Sequence, residues 1–178
     1  MQHLNSLYFR SYEKLKKEER LFFKFTNEEE NELRENFNSV DENILQKIIF
    51  LLSYTQSFHP DFEDFLFNQI TQENNSPEKI ITLLGALQRQ TIEKRERTGD
   101  PIPARFWEIM QELLNHPSLE VREWSLRLLH LCGSKVRRFL PTFKKIKPSA
   151  FVLSLQKRKI RGLIILLEKK LIPASRKE

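Results

Sequence analysis

The feature that most constrains the fold is a pattern of apolar residues that recurs every 36 to 41 positions. The pattern begins at Ile44 and continues with apolar residues at 48, 51 and 52, and it starts again at Ile80, Val121 and Ile160. Within each segment the spacing marks one face of an α-helix. Self-similarity at such a period is typical of stacked helical repeats. We therefore predict four amphipathic helices in equivalent positions.

A second series of apolar stripes lies between these helices. A shift of 44 positions converts one stripe into the next, so that Phe62, Phe65, Leu66 and Ile70 become Phe106, Ile109, Met110 and Leu114. Each stripe follows a proline, a residue that favours the first turn of a helix. Pairs of amphipathic helices at this interval predict an all-α chain of helical hairpins packed side by side.

Charge is distributed unevenly along the chain. Residues 1–100 contain 13 Lys and Arg against 18 Asp and Glu, whereas residues 101–178 contain 17 against 6. From residue 134 to residue 177 there are 14 basic residues and a single acidic one, Glu168. A one-sided charge of this kind usually marks a partner of opposite sign. The basic end therefore predicts binding to an acidic protein surface or to nucleic-acid phosphates.

Residues 117–129 carry a recognisable order of residue types: Pro117, Val121, Arg122, Ser125, Leu128 and Leu129. This order resembles the second-helix signature of HEAT repeats, and residues 160–162 are a weaker copy of it. The segment 136–146, with Pro141 inside it, resembles a HEAT first helix. In that family the small residue lets neighbouring helices approach closely. The resemblance covers residues 28–172.

The resemblance implies an all-α, right-handed α-solenoid of about four HEAT-like helical hairpins. The first repeat of such a solenoid needs a capping element with one solvent-exposed, polar face. Residues 1–27 are expected to form this N-terminal capping helix, and residues 173–178 a basic C-terminal tail. The chain departs from the family pattern in three places. His116 stands where Asp is usual, and Ile44-Leu45 and Ile80-Ile81 replace Val-Arg in the first two repeats.

Local signals place the ends of several elements. Asp41 and Ser76 are predicted N-caps, and residues 74–75 and 99–101 are predicted turns. Residues 91–103 form the longest polar stretch and are predicted to be a linker. The predicted N-terminal helix is rich in aromatic and aliphatic residues at Leu7, Tyr8, Tyr12, Leu15, Phe22 and Phe23.

No residue pattern in the sequence predicts catalysis or metal binding. The four histidines have no partner at metal-ligand spacing, and the four glycines are isolated, which argues against a phosphate-binding loop. We predict no enzymatic activity, no metal, no cofactor and no small-molecule substrate. The single cysteine, Cys132, favours a reducing compartment, and the longest apolar run falls far short of the roughly 20 residues of a membrane span. A cytoplasmic protein that does not bind membranes is expected.

Two tryptophans and a group of cations are the candidate partner-binding residues. Trp107 and Trp124 lie on the third repeat, where an exposed ring beside arginine would be a binding hot spot and a buried ring would be ordinary core. In HEAT solenoids the second helices line the concave side. We therefore expect Arg122 to form one basic ridge with Lys157, Arg158, Lys159 and Arg161. The predicted function is a non-enzymatic scaffold or adaptor that binds another protein, with an acidic surface, through its curved face.

Two other functional classes remain open from the sequence. The basic C-terminal repeat could bind the nucleic-acid backbone. DNA glycosylases of the alkylation-repair type are built from HEAT-like repeats and use Trp and a catalytic Asp, but no Asp falls near either Trp here. A run of carboxylates is either a solvated helix start or an acidic docking patch; its members are Glu28, Glu29, Glu30, Glu32 and Glu35.

Overall fold

Helices account for 75% of the computed structural model, which describes residues 2–17 and 23–171. Within those two ranges the extended backbone pairs in one place, a parallel bridge between Phe23 and Thr55. The predicted all-α class is therefore confirmed. The chain divides into two compact units, one formed by Met1–Asn74 and Gly85–Pro101 and the other by Asn75–Leu84 and Ile102–Glu178.

The first unit begins with four helices, which contribute aromatic side chains to its core. They are α1 (Gln2–Lys16), α2 (Asn27–Glu35), α3 (Glu42–Tyr54) and α4 (Pro60–Ile70). α1 packs against α2 and α3. Phe62 is fully buried and makes edge-to-face contacts with Phe25 and Phe37, at ring-centroid distances of 5.9 Å and 6.2 Å. Such aromatic contacts add to the area that the rings bury.

Polar caps explain where these helices begin. Thr26 and Glu29 form a capping box at α2, in which each side chain accepts a hydrogen bond from the other's backbone N–H. The Asp41 carboxylate accepts the N–H of Asn43 at 2.9 Å, which confirms the predicted cap of α3. At α4, His59 Nδ1 accepts the N–H of Asp61.

The prediction of a linker at 91–103 is wrong for its first eight residues, which are helical. α5 (Pro77–Leu87) begins among residues of the second unit, where the Ser76 hydroxyl caps it as predicted. It is followed directly by a π-helical turn (Gln88–Glu93) and by α6 (Lys94–Thr98). Thr91 and Ile92 are buried rather than solvated. Gly99 ends α6 with a φ of 77°, which agrees with the predicted turn at 99–101.

The second unit contains α7 (Ala104–Leu113), α8 (Leu119–Leu131), a 3₁₀ turn (Gly133–Phe139), α9 (Leu140–Ile146) and α10 (Leu155–Leu171). α8 packs against both α7 and α10. The single helix expected at 136–146 is divided at Phe139, because Pro141 occupies the first turn of α9, where a missing N–H costs nothing. Ser125 is fully buried, and its hydroxyl donates to the Val121 carbonyl at 2.8 Å.

Helices are present at the four segments that the apolar pattern marked, as α3, α5, α8 and α10. The N-terminal helix is shorter than predicted: α1 ends at Lys16, and Phe23 belongs to the extended bridge. Phe22 and the predicted tail at 173–178 lie outside the described residues. In the part of the chain that is described, none of the helices combines the length and apolar character that a membrane span requires.

Candidate partner-binding surface

Trp107 belongs to the core of the second unit. Trp107 is 7% exposed, and its ring contacts Phe106 and Phe139 at centroid distances of 5.1 Å and 6.0 Å. The Arg138 guanidinium lies 4.8 Å from the centroid of the same ring. Of the two alternatives that the sequence left open for this ring, the structure shows ordinary core, and Trp107 offers little surface to a partner.

Trp124 is the exposed tryptophan, at 38%. The Arg127 guanidinium lies 5.5 Å from the centroid of its ring. Arg127 is itself held by the buried carboxylate of Glu123, with an Nη2 to Oε1 distance of 2.6 Å. This combination of a cation–π contact and an ion pair orients the ring before any partner binds.

Arg122 is fixed by the turn that precedes α8. Ser118 caps the helix by accepting the N–H of Val121, and its own N–H donates to Nδ1 of His116 at 3.1 Å. The Arg122 Nε–H donates to the His116 carbonyl. The pKa of His116 is lowered, first by burial and second by the positive charge of Arg122. The turn therefore favours a neutral histidine and holds the guanidinium by one edge.

The predicted cations of α10 differ in their contacts. Arg158 donates to the Leu153 carbonyl at 3.0 Å, and Arg161, which is half-buried, donates to the Pro148 carbonyl at 3.5 Å. Lys157 and Lys159 are exposed, and their ammonium groups form no hydrogen bond or ion pair with any described residue. Both ammonium groups are thus without direct polar contacts to the described part of the chain.

Two pockets bring most of the predicted residues together. Arg122 and Lys157 line a pocket of about 220 Å³, and Trp124 and Lys159 line a pocket of about 420 Å³. Trp107, Arg158 and Arg161 line neither pocket. The second pocket also has acidic residues, Glu120 and Glu123, in its lining, whereas the first has none.

Sequence reasoning missed the most exposed apolar residues of the second unit. Phe151 and Leu153, in the loop between α9 and α10, are 94% and 91% exposed, and Leu155 at the start of α10 is 66% exposed. Full burial of one such side chain stabilises by about 1.5–3 kcal/mol, and contiguous exposed apolar groups rimmed by polar ones mark interaction sites. The sequence signal was available: apolar residues without helical spacing, between two lysine clusters.

We call these residues the α8–α10 surface, defined by Arg122, Trp124, Phe151, Leu153, Leu155, Lys157 and Lys159. It combines apolar and cationic groups on one unit. Glu168, the one acidic residue between 134 and 177, is already paired with Lys147. The surface is therefore suited to a partner that supplies carboxylates and apolar side chains together.

The acidic run at α2 is largely used in folding. Glu29 is buried in the capping box, and Glu30 pairs with Arg34 at 3.1 Å. The pKa of Glu28 is lowered, first by a hydrogen bond from its own backbone N–H and then by one from the Thr26 hydroxyl. These contacts favour the interpretation of the run as a helix start.

Comparison of the chain with protein-family models, with curated proteins and with solved structures gives no match. Among the described residues, no group of three or more His, Cys, Asp or Glu side chains is arranged to hold a metal ion. Cys132 is buried, and its thiol lies 3.5 Å from the Leu128 carbonyl.

Proposed function

We propose that this protein is a non-enzymatic adaptor that binds an acidic protein partner through the α8–α10 surface. The proposal includes a right-handed, HEAT-like stacking of the helical hairpins and a cytoplasmic location. One observation carries it: highly exposed apolar side chains, Phe151 and Leu153, are followed within eight positions by exposed lysines that form no ion pair with any described residue.

The two kinds of side chain have different roles in binding. Burial of Phe151, Leu153 and Leu155 against a partner would supply affinity, since apolar burial drives most association. Lys157 and Lys159 would raise the association rate and select partners of opposite charge. Trp124, already oriented by Arg127, would act as a preformed anchor.

The apolar residues favour a protein over a nucleic acid. Side-chain contacts to the nucleic-acid backbone come from cations and polar groups, and the side chains of Leu153 and Leu155 offer neither. Nucleic-acid binding is the second candidate function, because the exposed lysines would equally attract phosphates. It predicts sensitivity to nuclease, whereas the adaptor function predicts none.

The test is affinity capture with the purified full chain, with and without nuclease, followed by titration of the captured partner. The variant carries Lys157→Glu, Arg158→Glu and Lys159→Glu. Its control carries the same charge change on exposed lysines of the first unit, Lys14→Glu, Lys17→Glu and Lys24→Glu. We expect the first variant to lose about tenfold or more in affinity, chiefly in the association rate, and the control to stay within about twofold.

Two results would contradict the adaptor function. If nuclease removes the captured material, the surface binds nucleic acid. If both triple variants lose affinity equally, net charge rather than the α8–α10 surface determines binding.

A further inference from the structure

The smaller pocket of the α8–α10 surface has an apolar wall and a cationic side. The wall is formed by aliphatic and proline side chains: Leu119, Ile146, Pro148, Val152 and Ile160. The cations are Arg122 and Lys157, and no acidic residue lines the pocket. Its volume of about 220 Å³ is below the range of ordinary small-molecule sites, about 300–1,000 Å³. It is therefore sized for a single amino-acid side chain with a charged group beside it.

The guanidinium of Arg122 is held in place by one hydrogen bond, and its terminal nitrogens remain available to a ligand. Its Nε–H donates to the His116 carbonyl, which fixes one edge of the planar group. The two terminal nitrogens, Nη1 and Nη2, make no hydrogen bond to any described residue. A guanidinium with two parallel N–H groups available matches the two oxygens of a carboxylate. Because it is already held, less conformational freedom is lost when a ligand binds.

We propose that this pocket binds the C-terminal residue of the acidic partner. The terminal carboxylate pairs with Arg122 and Lys157, and the aliphatic side chain of the same residue packs on the apolar wall. This inference rests on the proposed adaptor function, since it names the part of the partner that the α8–α10 surface recognises.

Pocket size and charge together favour a chain terminus over an internal acidic residue. A C-terminal residue carries its carboxylate and its side chain on one Cα, so both enter one small pocket. An internal Asp or Glu carries only one or two methylene groups, too few to cover the wall formed by Val152 and Ile160. Capture of a terminal carboxylate is a known mode of peptide recognition.

The probe is a fluorescein-labelled octapeptide, Gly-Ser-Gly-Asp-Glu-Asp-Glu-Leu, prepared with a free C-terminal carboxylate and with a C-terminal amide. Fluorescence polarisation measures the affinity of the full chain for each form. We expect the acid to bind about tenfold or more tightly than the amide, because the amide cannot accept the bidentate hydrogen bonds of Arg122. A third peptide that ends in Ser should bind more weakly than the one that ends in Leu.

Variants of Arg122 locate the effect. Arg122→Gln should remove most of the acid-to-amide preference and leave only the part that Lys157 supplies. Arg122→Lys should also lose most of the preference, since an ammonium lacks the planar fork. Arg97→Gln, at an exposed arginine of the first unit, is the matched control and should retain the ratio. Partial unfolding lowers both affinities together and leaves their ratio unchanged, so the ratio reports on the carboxylate contact itself.

The outcomes separate this inference from the proposed function. Equal binding of the acid and amide forms by the unaltered protein would overturn the terminal-carboxylate inference, as would failure of both forms to bind. The adaptor function would still stand if the charge-reversal triple variant, Lys157→Glu with Arg158→Glu and Lys159→Glu, abolished binding of the captured partner. If the acid form is preferred and Arg122→Gln retains the preference, the pocket is the wrong one and the inference fails.

Discussion

One buried arginine of the first unit and two exposed lysines of the second unit are used in opposite ways. In the first unit, Arg95 meets Glu63 through two contacts of 2.8 Å, and the two side chains are only 10% and 8% exposed. Thr91 adds a third hydrogen bond by donating to Glu63 at 2.7 Å. In the second unit, Lys157 and Lys159 are exposed and pair with no described residue. The first arrangement serves folding, and the second leaves charge available for a partner.

The π-helical turn belongs to the buried network of the first unit. Gln90 and Thr91, adjacent in that turn, are both buried and both reach distant parts of the chain. Gln90 donates to the Leu52 carbonyl at 3.0 Å, and Arg89 donates through Nε to the Thr55 carbonyl at 2.8 Å. Buried charges are tolerated only when they are paired and hydrogen-bonded, which this network achieves for Glu63 and Arg95.

The largest expected effect comes from breaking the buried pair. Arg95→Met leaves the Glu63 carboxylate buried without its partner, and we expect the free energy of unfolding to fall by about 3–5 kcal/mol. The matched change in the second unit, Lys159→Met, removes a charge that is solvated and should alter stability by no more than about 0.5 kcal/mol. Chemical denaturation measures both. An equal loss of unfolding free energy in the two variants would show that Arg95 and Lys159 contribute alike to stability.

A second change tests whether the exposed apolar residues serve binding rather than folding. Phe151→Ser combined with Leu153→Ser should leave the free energy of unfolding within about 0.5 kcal/mol while lowering affinity for the captured partner about tenfold. Val40→Ser, at a fully exposed apolar residue of the first unit, is the control and should leave affinity unchanged. A stability loss in the double variant without an affinity loss would assign these residues to folding.

The smallest expected effect is the pH dependence contributed by His116. Its pKa is lowered from the ordinary 6.5 by burial and then by Arg122, so the unfolded chain binds the proton more readily than the folded one. The resulting stability is present above pH 6.5 and is lost as pH falls through the lowered pKa. His116→Asn retains an oxygen acceptor for the Ser118 N–H and should remove this dependence. Unfolding curves recorded at pH values above and below 6.5 measure how the free energy of unfolding changes with pH. If that change is the same in the variant and in the unaltered protein, the pH dependence belongs to other groups.

The sequence by itself determined where the helices lie and where several of them begin. Apolar periodicity located α3, α5, α8 and α10, and the caps Asp41 and Ser76 were identified correctly. Helical periodicity and capping are local, because they depend on residues within a few positions of each other. The excess of positive charge in the second half of the chain was also evident from the sequence alone, since it is a property of composition.

Only the tertiary structure decided which polar and aromatic residues are buried. Thr91 and Arg95 were predicted to belong to a linker, but Glu63, which lies 28 positions before Thr91 and 32 before Arg95, supplies their buried partner. Trp107 and Trp124 have similar sequence surroundings, yet packing by Phe139 and Arg138 covers the first and leaves the second exposed. Burial depends on which distant residues fold back onto a side chain, and such contacts have no periodicity along the chain from which to predict them.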